Sequence, residues 1–214
     1  MHSNRLWIGL SIMLAVVSAF LAWRLRGCDA DAADYIASRA YILVQQGRTA
    51  PEGMTLVVAD SIVEQAYHRD LCGAPVFNAG ISSAGLRHLA PLATDLSGIL
   101  KPSRIILAIG TNDAAAGRRV PTADWIRDYE ALLAALPVER IELVAIPPVE
   151  PGKPGSGAID LADLADKNRE LQSLAARRRI PFAPSAPLPT RDGIHVDADG
   201  AAAWRENVER HCPP

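Results

Sequence analysis

The chain has 214 residues and a mass of 22.9 kDa, and 49% of its residues are hydrophobic, which suffices for one well-packed domain with a short appendage. Its 22 basic and 24 acidic residues give a formal net charge of -2. This balance provides neither the basic surface that nucleic-acid binding requires nor the acidic excess of a disordered chain. No nucleic-acid partner is therefore expected.

The three cysteines are too few for a disulfide scaffold, and no C-x-x-C pair indicates zinc or redox chemistry. Cys72 and Cys212 could form one bridge in an oxidising compartment, which would leave Cys28 unpaired. Idle thiols explain the same sequence equally well, so the pairing stays open at this point.

An uncharged, apolar run extends from Leu6 to Trp23. As a helix rising ~1.5 Å per residue, it is just long enough to cross the hydrocarbon core of a membrane. Flanking arginines and a tryptophan near each end suit a membrane anchor. The alternative is a cleaved signal peptide that releases a secreted domain, with the small residues Val17-Ser18-Ala19 as its cleavage site. We therefore predict an anchor or signal segment at residues 1–28.

A helical pattern follows from Asp29 to Gln46 and is ended by Gly47 and Pro51, which predicts a helical linker over residues 29–50. Beyond it, short apolar runs alternate with helical stretches. The predicted strands are Thr55–Ala59, Val76–Asn78, Arg104–Ile109, Ile141–Ile146 and Ile180–Ala183. The predicted helices are Ile62–Tyr67, Leu86–Leu100, Thr122–Leu136, Ile159–Arg178 and Ala198–His211. This alternation predicts an α/β domain, a flavodoxin-like three-layer α/β/α sandwich around a parallel sheet.

The segment Pro147–Gly157 contains four prolines and three glycines and is expected to be a long surface loop. Because it follows a strand whose carboxyl end lies where such folds bind ligands, it could shape substrate choice. A tolerated insertion is the alternative.

Ser61 directly follows the first predicted strand and precedes a short helical pattern. Its side chain would emerge at a strand-to-helix turn, where the helix N-terminus supplies free amide groups and positive potential. Such a serine can act as a nucleophile or simply cap the helix. The adjacent Asp60 is expected to brace the turn by hydrogen bonding.

Two further strand ends carry groups that could stabilise an oxyanion. Gly80 lets the backbone approach a ligand closely and offer its amide, and Asn112 could donate from its side chain. Turn formation is the ordinary explanation for both segments.

Near the C-terminus, Asp192 and His195 are three residues apart. At this spacing the carboxylate can hold the imidazole in the tautomer that presents its other nitrogen to a nucleophile. A metal site is the chemical competitor, with potential ligands at Asp60, Asp113, Asp192, His195 and Asp197. No His-x-x-x-His or paired-carboxylate spacing supports it, and no metal is predicted.

Taken in order, these blocks resemble the SGNH hydrolases, also called the GDSL lipase/esterase family, over about Thr55 to Trp204. The Ser, Gly, Asn and His that name the family fall on Ser61, Gly80, Asn112 and His195. The first block departs from the family pattern, because Ala59 stands where glycine is usual. Since alanine adopts a positive φ less readily than glycine, we expect the turn before Ser61 to be slightly altered.

The resemblance implies that residues 51–214 form a serine esterase acting on small O-acyl esters, such as acetylated carbohydrates or short lipid esters. Ser61, His195 and Asp192 would be catalytic, the Ser61 and Gly80 amides with Asn112 would form the oxyanion hole, and no cofactor is implied. The positive-inside rule alone would place the domain in the cytoplasm. Because many family members are exported, we expect a periplasmic or extracellular domain instead. The alternatives are an O-acyltransferase using the same site and a non-catalytic envelope binding or scaffolding module on the same fold.

Overall fold

A computed structural model describes the backbone of residues 2–136 and 139–212, and the side chains of these residues except 2–12 and 19–30. The strands are β1 (Thr55–Ala59), β2 (Asp70–Leu71), β3 (Ala74–Gly80), β4 (Arg104–Ala108), β5 (Ile141–Val144) and β6 (Phe182–Ala183). The helices are α1 (His2–Gly47), α2 (Ser61–Glu64), α3 (Leu86–Leu100), α4 (Thr122–Ala135), α5 (Leu161–Arg178) and α6 (Ala198–Glu209), with short 3-10 turns at Asn112–Ala114 and Ser156–Ala158.

Helix α1 continues through the predicted linker helix and ends at Gly47, as its sequence indicates. The chain divides into a unit that ends at Ser38 and a second that begins at Arg39. The membrane segment predicted over residues 6–23 falls mostly on side chains outside the described set. Among the residues that are described, no helix combines the length and apolarity needed to span a bilayer.

The sheet has the order β2-β3-β1-β4-β5-β6. All neighbouring strands are parallel except β2, which pairs antiparallel with β3 at one edge. The five parallel strands, numbered by themselves, follow the order 2-1-3-4-5 of flavodoxin-like folds. The predicted parallel α/β architecture is confirmed. The two-residue strand β2 is too short to leave a periodic pattern, and the sequence did not predict it.

The sheet is buried on both faces. Val57 and Ala59 of β1 belong to a core cluster with Trp204 and Val208 of α6. Alternate residues point to the opposite face, on the side where α3, α4 and α5 pack next to one another. All five residues of β1 are buried, which explains why its sequence is continuously apolar rather than alternating.

Helix α2 ends at Glu64, earlier than the predicted Ile62–Tyr67. The side-chain amide of Asn78 on β3 donates to the Val63 and Ala66 carbonyls at 2.8 and 3.2 Å. These bonds attach the end of α2 and the residues after it to β3.

The sulfur atoms of Cys72 and Cys212 form a disulfide, with Cα atoms 5.7 Å apart. It joins the turn between β2 and β3 to the residues after α6, across a sequence separation of 140 residues. The pairing that the sequence left open is thus present in the fold.

Candidate active site

Ser61 begins α2, directly after β1 and the capping residue Asp60. The Asp60 carboxylate accepts a hydrogen bond from the Ile62 N–H at 3.0 Å, so the aspartate, not the serine, caps the helix. Ser61 is thereby released from the capping role, and its own N–H, at the first helical position, has no intrahelical acceptor. The structure confirms the bracing role expected of Asp60.

The turn before Ser61 is not disturbed by Ala59, contrary to the expectation from the sequence. Ala59 is the last residue of β1, fully buried and paired with Gly80 on one side and Ala108 on the other. The following Asp60 has φ −93° and ψ −155°, also extended. Neither position needs a positive φ, so alanine fits here without strain.

His195 connects Ser61 to Asp192. Its Nε2 lies 3.0 Å from Ser61 Oγ, and its Nδ1 lies 2.7 Å from Asp192 Oδ2. Because an ionised carboxylate only accepts hydrogen bonds, Nδ1 carries the proton and Nε2 is free to accept the Ser61 hydroxyl proton. This orientation is the one that general-base catalysis requires.

Asp192 is well suited to hold the imidazole. Its other oxygen, Oδ1, accepts the backbone N–H groups of His195 and Ile194 at 2.8 and 3.0 Å. Partial burial raises the pKa of Asp192, but the hydrogen bonds from the His195 side chain and from these two amides outweigh it and hold the pKa well below its usual range. The carboxylate is therefore ionised wherever His195 would act as a base.

Strand register brings the predicted oxyanion donors to the same edge of the sheet. Gly80 pairs with Ala59, and Ala108, four residues before Asn112, pairs with Ala59 from the other side. Parallel strands place their carboxyl ends together, so the segments after β1, β3 and β4 converge there.

Both predicted donors also make intramolecular hydrogen bonds. The Gly80 N–H donates to Asn78 Oδ1 at 2.9 Å, and Asn112 Nδ2 donates to the Ala84 carbonyl at 3.0 Å. The Asn112 amide keeps a second N–H for a ligand, whereas the Gly80 N–H would have to be shared between Asn78 and a ligand.

Sequence reasoning missed the role of Asn78. One side chain accepts the Gly80 N–H and donates to two carbonyls of the α2 segment, so it joins the second strand end to the helix that carries Ser61. A β-carbon on Gly80 would lie 2.5 Å from the Glu64 backbone nitrogen, which shows how closely the two segments approach. The only signal available was an amide two residues before a glycine, a common turn pattern.

Two buried aspartates, Asp60 and Asp113, bind groups on neighbouring segments of the site. Asp60 also receives hydrogen bonds from Thr111, next to Asn112, and burial raises its pKa although these bonds oppose the shift. Asp113 accepts the Leu86 N–H at the start of α3 at 3.0 Å. Burial raises the pKa of Asp113 to about 6. Both aspartates accept backbone N–H groups of neighbouring segments, and Asp60 also accepts a hydrogen bond from the Thr111 side chain.

A family model for GDSL-like lipases and acylhydrolases matches residues 47–203. The chain belongs to the GDSL-like lipase/acylhydrolase family. Membership makes it an ester-hydrolysing enzyme by class, in agreement with the resemblance seen in the sequence. Among curated proteins, no sequence matches this chain.

Several solved structures share the GDSL fold. A candidate platelet activating factor from Streptococcus pneumonia has a TM-score of 0.69 at 22% identity, covering 85% of this chain and 96% of the other. The lipase/acylhydrolase from Enterococcus faecalis has a TM-score of 0.64 at 17% identity, covering 74% and 94%. The carbohydrate acetylesterase Est24 from Sinorhizobium meliloti has a TM-score of 0.61 at 15% identity, covering 74% and 97%. At these identities the likeness concerns the fold.

The other described histidines of this GDSL-like protein have structural settings. His68 stacks on Trp204 with ring centroids 5.1 Å apart, and the His88 Nδ1 lies 3.2 Å from the Gly85 N–H. Burial lowers the pKa of both imidazoles. The His211 Nδ1 lies 2.8 Å from the Asn207 carbonyl oxygen, and His2 lies outside the described side chains.

Proposed function

We propose that this GDSL-family chain is a serine esterase in which Ser61 is the nucleophile, His195 the general base and Asp192 its orienting carboxylate. The observation that carries the proposal is the continuous hydrogen-bonded chain from Ser61 Oγ through both ring nitrogens of His195 to Asp192. It joins residues from two distant parts of the sequence in the order that acyl transfer to serine needs.

In this mechanism His195 Nε2 takes the Ser61 hydroxyl proton as Oγ attacks the ester carbonyl carbon. The carbonyl π electrons move to oxygen, and the resulting oxyanion is bound by the Ser61 N–H, the free N–H of Asn112 and a shared Gly80 N–H. The imidazolium then protonates the departing alkoxide, leaving an acyl-serine. Water, deprotonated by His195, attacks the acyl carbon and restores the Ser61 hydroxyl.

The proposed substrates are small O-acyl esters, with acetylated carbohydrates first. A carbohydrate acetylesterase among the structural neighbours supports this choice. An acceptor hydroxyl in place of water would make the same site an O-acyltransferase, so product analysis must include a sugar acceptor.

The domain is proposed to act outside the cytoplasm, as a periplasmic or extracellular protein. The Cys72–Cys212 disulfide supports this location because such bonds persist in oxidising compartments. Attachment through residues 6–23, or release after signal cleavage, stays a prediction of the sequence. Cell fractionation followed by N-terminal sequencing of the mature chain distinguishes the two.

A fluorophosphonate probe and p-nitrophenyl acetate test the activity directly. Wild-type protein should be labelled and should hydrolyse the ester, and Ser61→Ala should do neither. Ser173→Ala is the matched control, since this half-buried serine donates to the Arg169 carbonyl within α5. Equal behaviour of wild type and Ser61→Ala would rule out the esterase and favour a non-catalytic binding module.

A further inference from the structure

The proline-rich loop of residues 147–157 lies directly against the turn that carries Asp192 and His195. We propose that Glu150 in this loop is a positioning residue: acting through Thr190, it fixes the Asp192–His195 turn and thereby sets the rate of serine acylation. The inference rests on the proposed esterase function.

The Glu150 carboxylate makes three contacts through one oxygen. Its Oε2 accepts the Thr190 backbone N–H at 2.9 Å and the Thr190 hydroxyl at 2.6 Å. The Lys153 ammonium lies 2.9 Å from the same oxygen and also donates to the Thr190 carbonyl. Glu150 and Lys153 thus hold the N–H, the C=O and the side chain of Thr190 at once.

Thr190 passes this constraint to the turn. Its hydroxyl donates to Glu150 and accepts the Gly193 N–H at 2.9 Å, so it points in one fixed direction. Thr190 is only 3% exposed, and a hydrogen-bonded chain ending on a charged carboxylate is stronger there than it would be in water.

The loop backbone holds the peptide groups around Gly193 as well. The Gly155 N–H donates to the Asp192 carbonyl at 2.7 Å, and the Glu150 N–H donates to the Gly193 carbonyl at 2.9 Å. The loop therefore binds the carbonyl groups of Asp192 and Gly193 directly. It holds the Gly193 N–H indirectly, through Thr190. These bonds fix the backbone from which the Asp192 side chain extends.

Gly193 shows that the turn needs such support. Its φ is +105°, a conformation that only glycine adopts readily, and a β-carbon here would lie 3.1 Å from both the Glu150 carbonyl oxygen and the Ser156 nitrogen. Because a glycine loses more conformational freedom on folding than any other residue, bonds from outside the turn add to those that join Asp192 directly to His195.

The charge of Glu150 is maintained by its neighbours. The hydrogen bond from Lys153, and next those from Thr190, lower the pKa of Glu150 to about 2. Its side chain is 37% exposed and that of Lys153 32%, so neither residue belongs to the hydrophobic core. Their removal should change the turn while leaving the fold intact.

The test compares Glu150→Gln, Thr190→Val and the double variant with wild type, using p-nitrophenyl acetate kinetics and the fluorophosphonate labelling rate well below the melting temperature. Each single variant should lower kcat and the labelling rate roughly tenfold with KM within about twofold, because small misplacements of reacting groups cost up to ~10²-fold. The double variant should be no worse than the worse single variant, since both changes break one chain.

The matched control is Glu52→Gln, which neutralises an exposed glutamate that also pairs with a lysine, Lys101, at 2.7 Å. It should keep wild-type kcat and labelling rate. The inference would be wrong if Glu150→Gln kept the wild-type kcat, or if the loss of kcat in the double variant equalled the product of the two single losses. Neither result would contradict the proposed esterase function. Absence of labelling in wild type would instead refute the proposed function, and the inference with it.

Discussion

Ser61 Oγ and His195 Nε2 lie 3.0 Å apart, although 134 residues separate them in the sequence. The strand-to-helix turn after β1 presents the serine, and the turn before α6 presents the histidine. With Asp192 on the opposite ring nitrogen, the contact fixes the direction in which a proton can move, from serine to imidazole.

Replacing Asp192 by asparagine should lower kcat by about 10²- to 10⁴-fold, because the neutral amide neither stabilises the imidazolium nor selects the required tautomer. Asp160→Asn is the matched control, since Asp160 also accepts two backbone N–H groups, at the start of α5. Steady-state kinetics measure kcat for both variants, and Asp160→Asn should keep the wild-type value. A fully active Asp192→Asn enzyme would show that His195 needs no carboxylate.

Removing the Asn112 side chain with Asn112→Ala should lower kcat about 10²- to 10³-fold with little change in KM, because an oxyanion donor acts mainly in the transition state. Asn207→Ala provides the comparison: it also loses an amide donor to a carbonyl, that of Pro184, at 2.8 Å. That variant should lose stability but keep kcat. If the two variants show equal kcat, Asn112 is not an oxyanion donor.

Loss of the disulfide, by Cys72→Ser with Cys212→Ser or by reduction, should lower the free energy of unfolding by about 2–4 kcal/mol, since the cross-link restricts the unfolded chain. Denaturant titration with and without dithiothreitol measures the effect. Reductant should shift the wild-type midpoint and leave the double-serine variant unchanged. A wild-type midpoint insensitive to reductant would mean that the bond is not formed in solution.

The buried Glu142 should make stability depend on pH. Burial raises the pKa of Glu142 to about 7 against the opposing effect of Arg104, whose Nη1 lies 3.9 Å away. A carboxyl whose pKa is higher in the folded state binds more protons there, so the free energy of unfolding falls as pH rises from about 4.5 to about 7. Above about pH 7 the stability that protonated Glu142 provides at low pH is fully lost.

The side chain at position 142 cannot ionise in Glu142→Gln, so this variant should lack the pH-dependent contribution to the free energy of unfolding. Its stability relative to wild type should therefore rise by about 3 kcal/mol across the same pH window, from the size of the pKa shift. Denaturant unfolding at several pH values measures the difference. A difference that does not vary with pH would show that Glu142 has an ordinary pKa in the fold.

Much of the fold could be predicted from local patterns. The limits of β1 and α3 agree with the sequence-based prediction, because a doubly buried strand is continuously apolar and an amphipathic helix repeats its apolar residues at helical spacing. The strand β2 and the early end of α2 could not be predicted. The first is too short for a pattern, and the second lies where Asn78 of β3 binds the Val63 carbonyl, a contact that exists only after folding.

The sequence by itself determined the alternation of strands and helices and the four blocks that name the family, because both depend on residue type and spacing along the chain. Only the tertiary structure decided that Asp60, not Ser61, caps α2, that Ala59 needs no positive φ, and that Gly80 already donates to Asn78. It also decided that the 147–157 loop supports the Asp192–His195 turn. Hydrogen-bond partners distant in sequence are chosen by strand register and loop packing, and no local pattern encodes them.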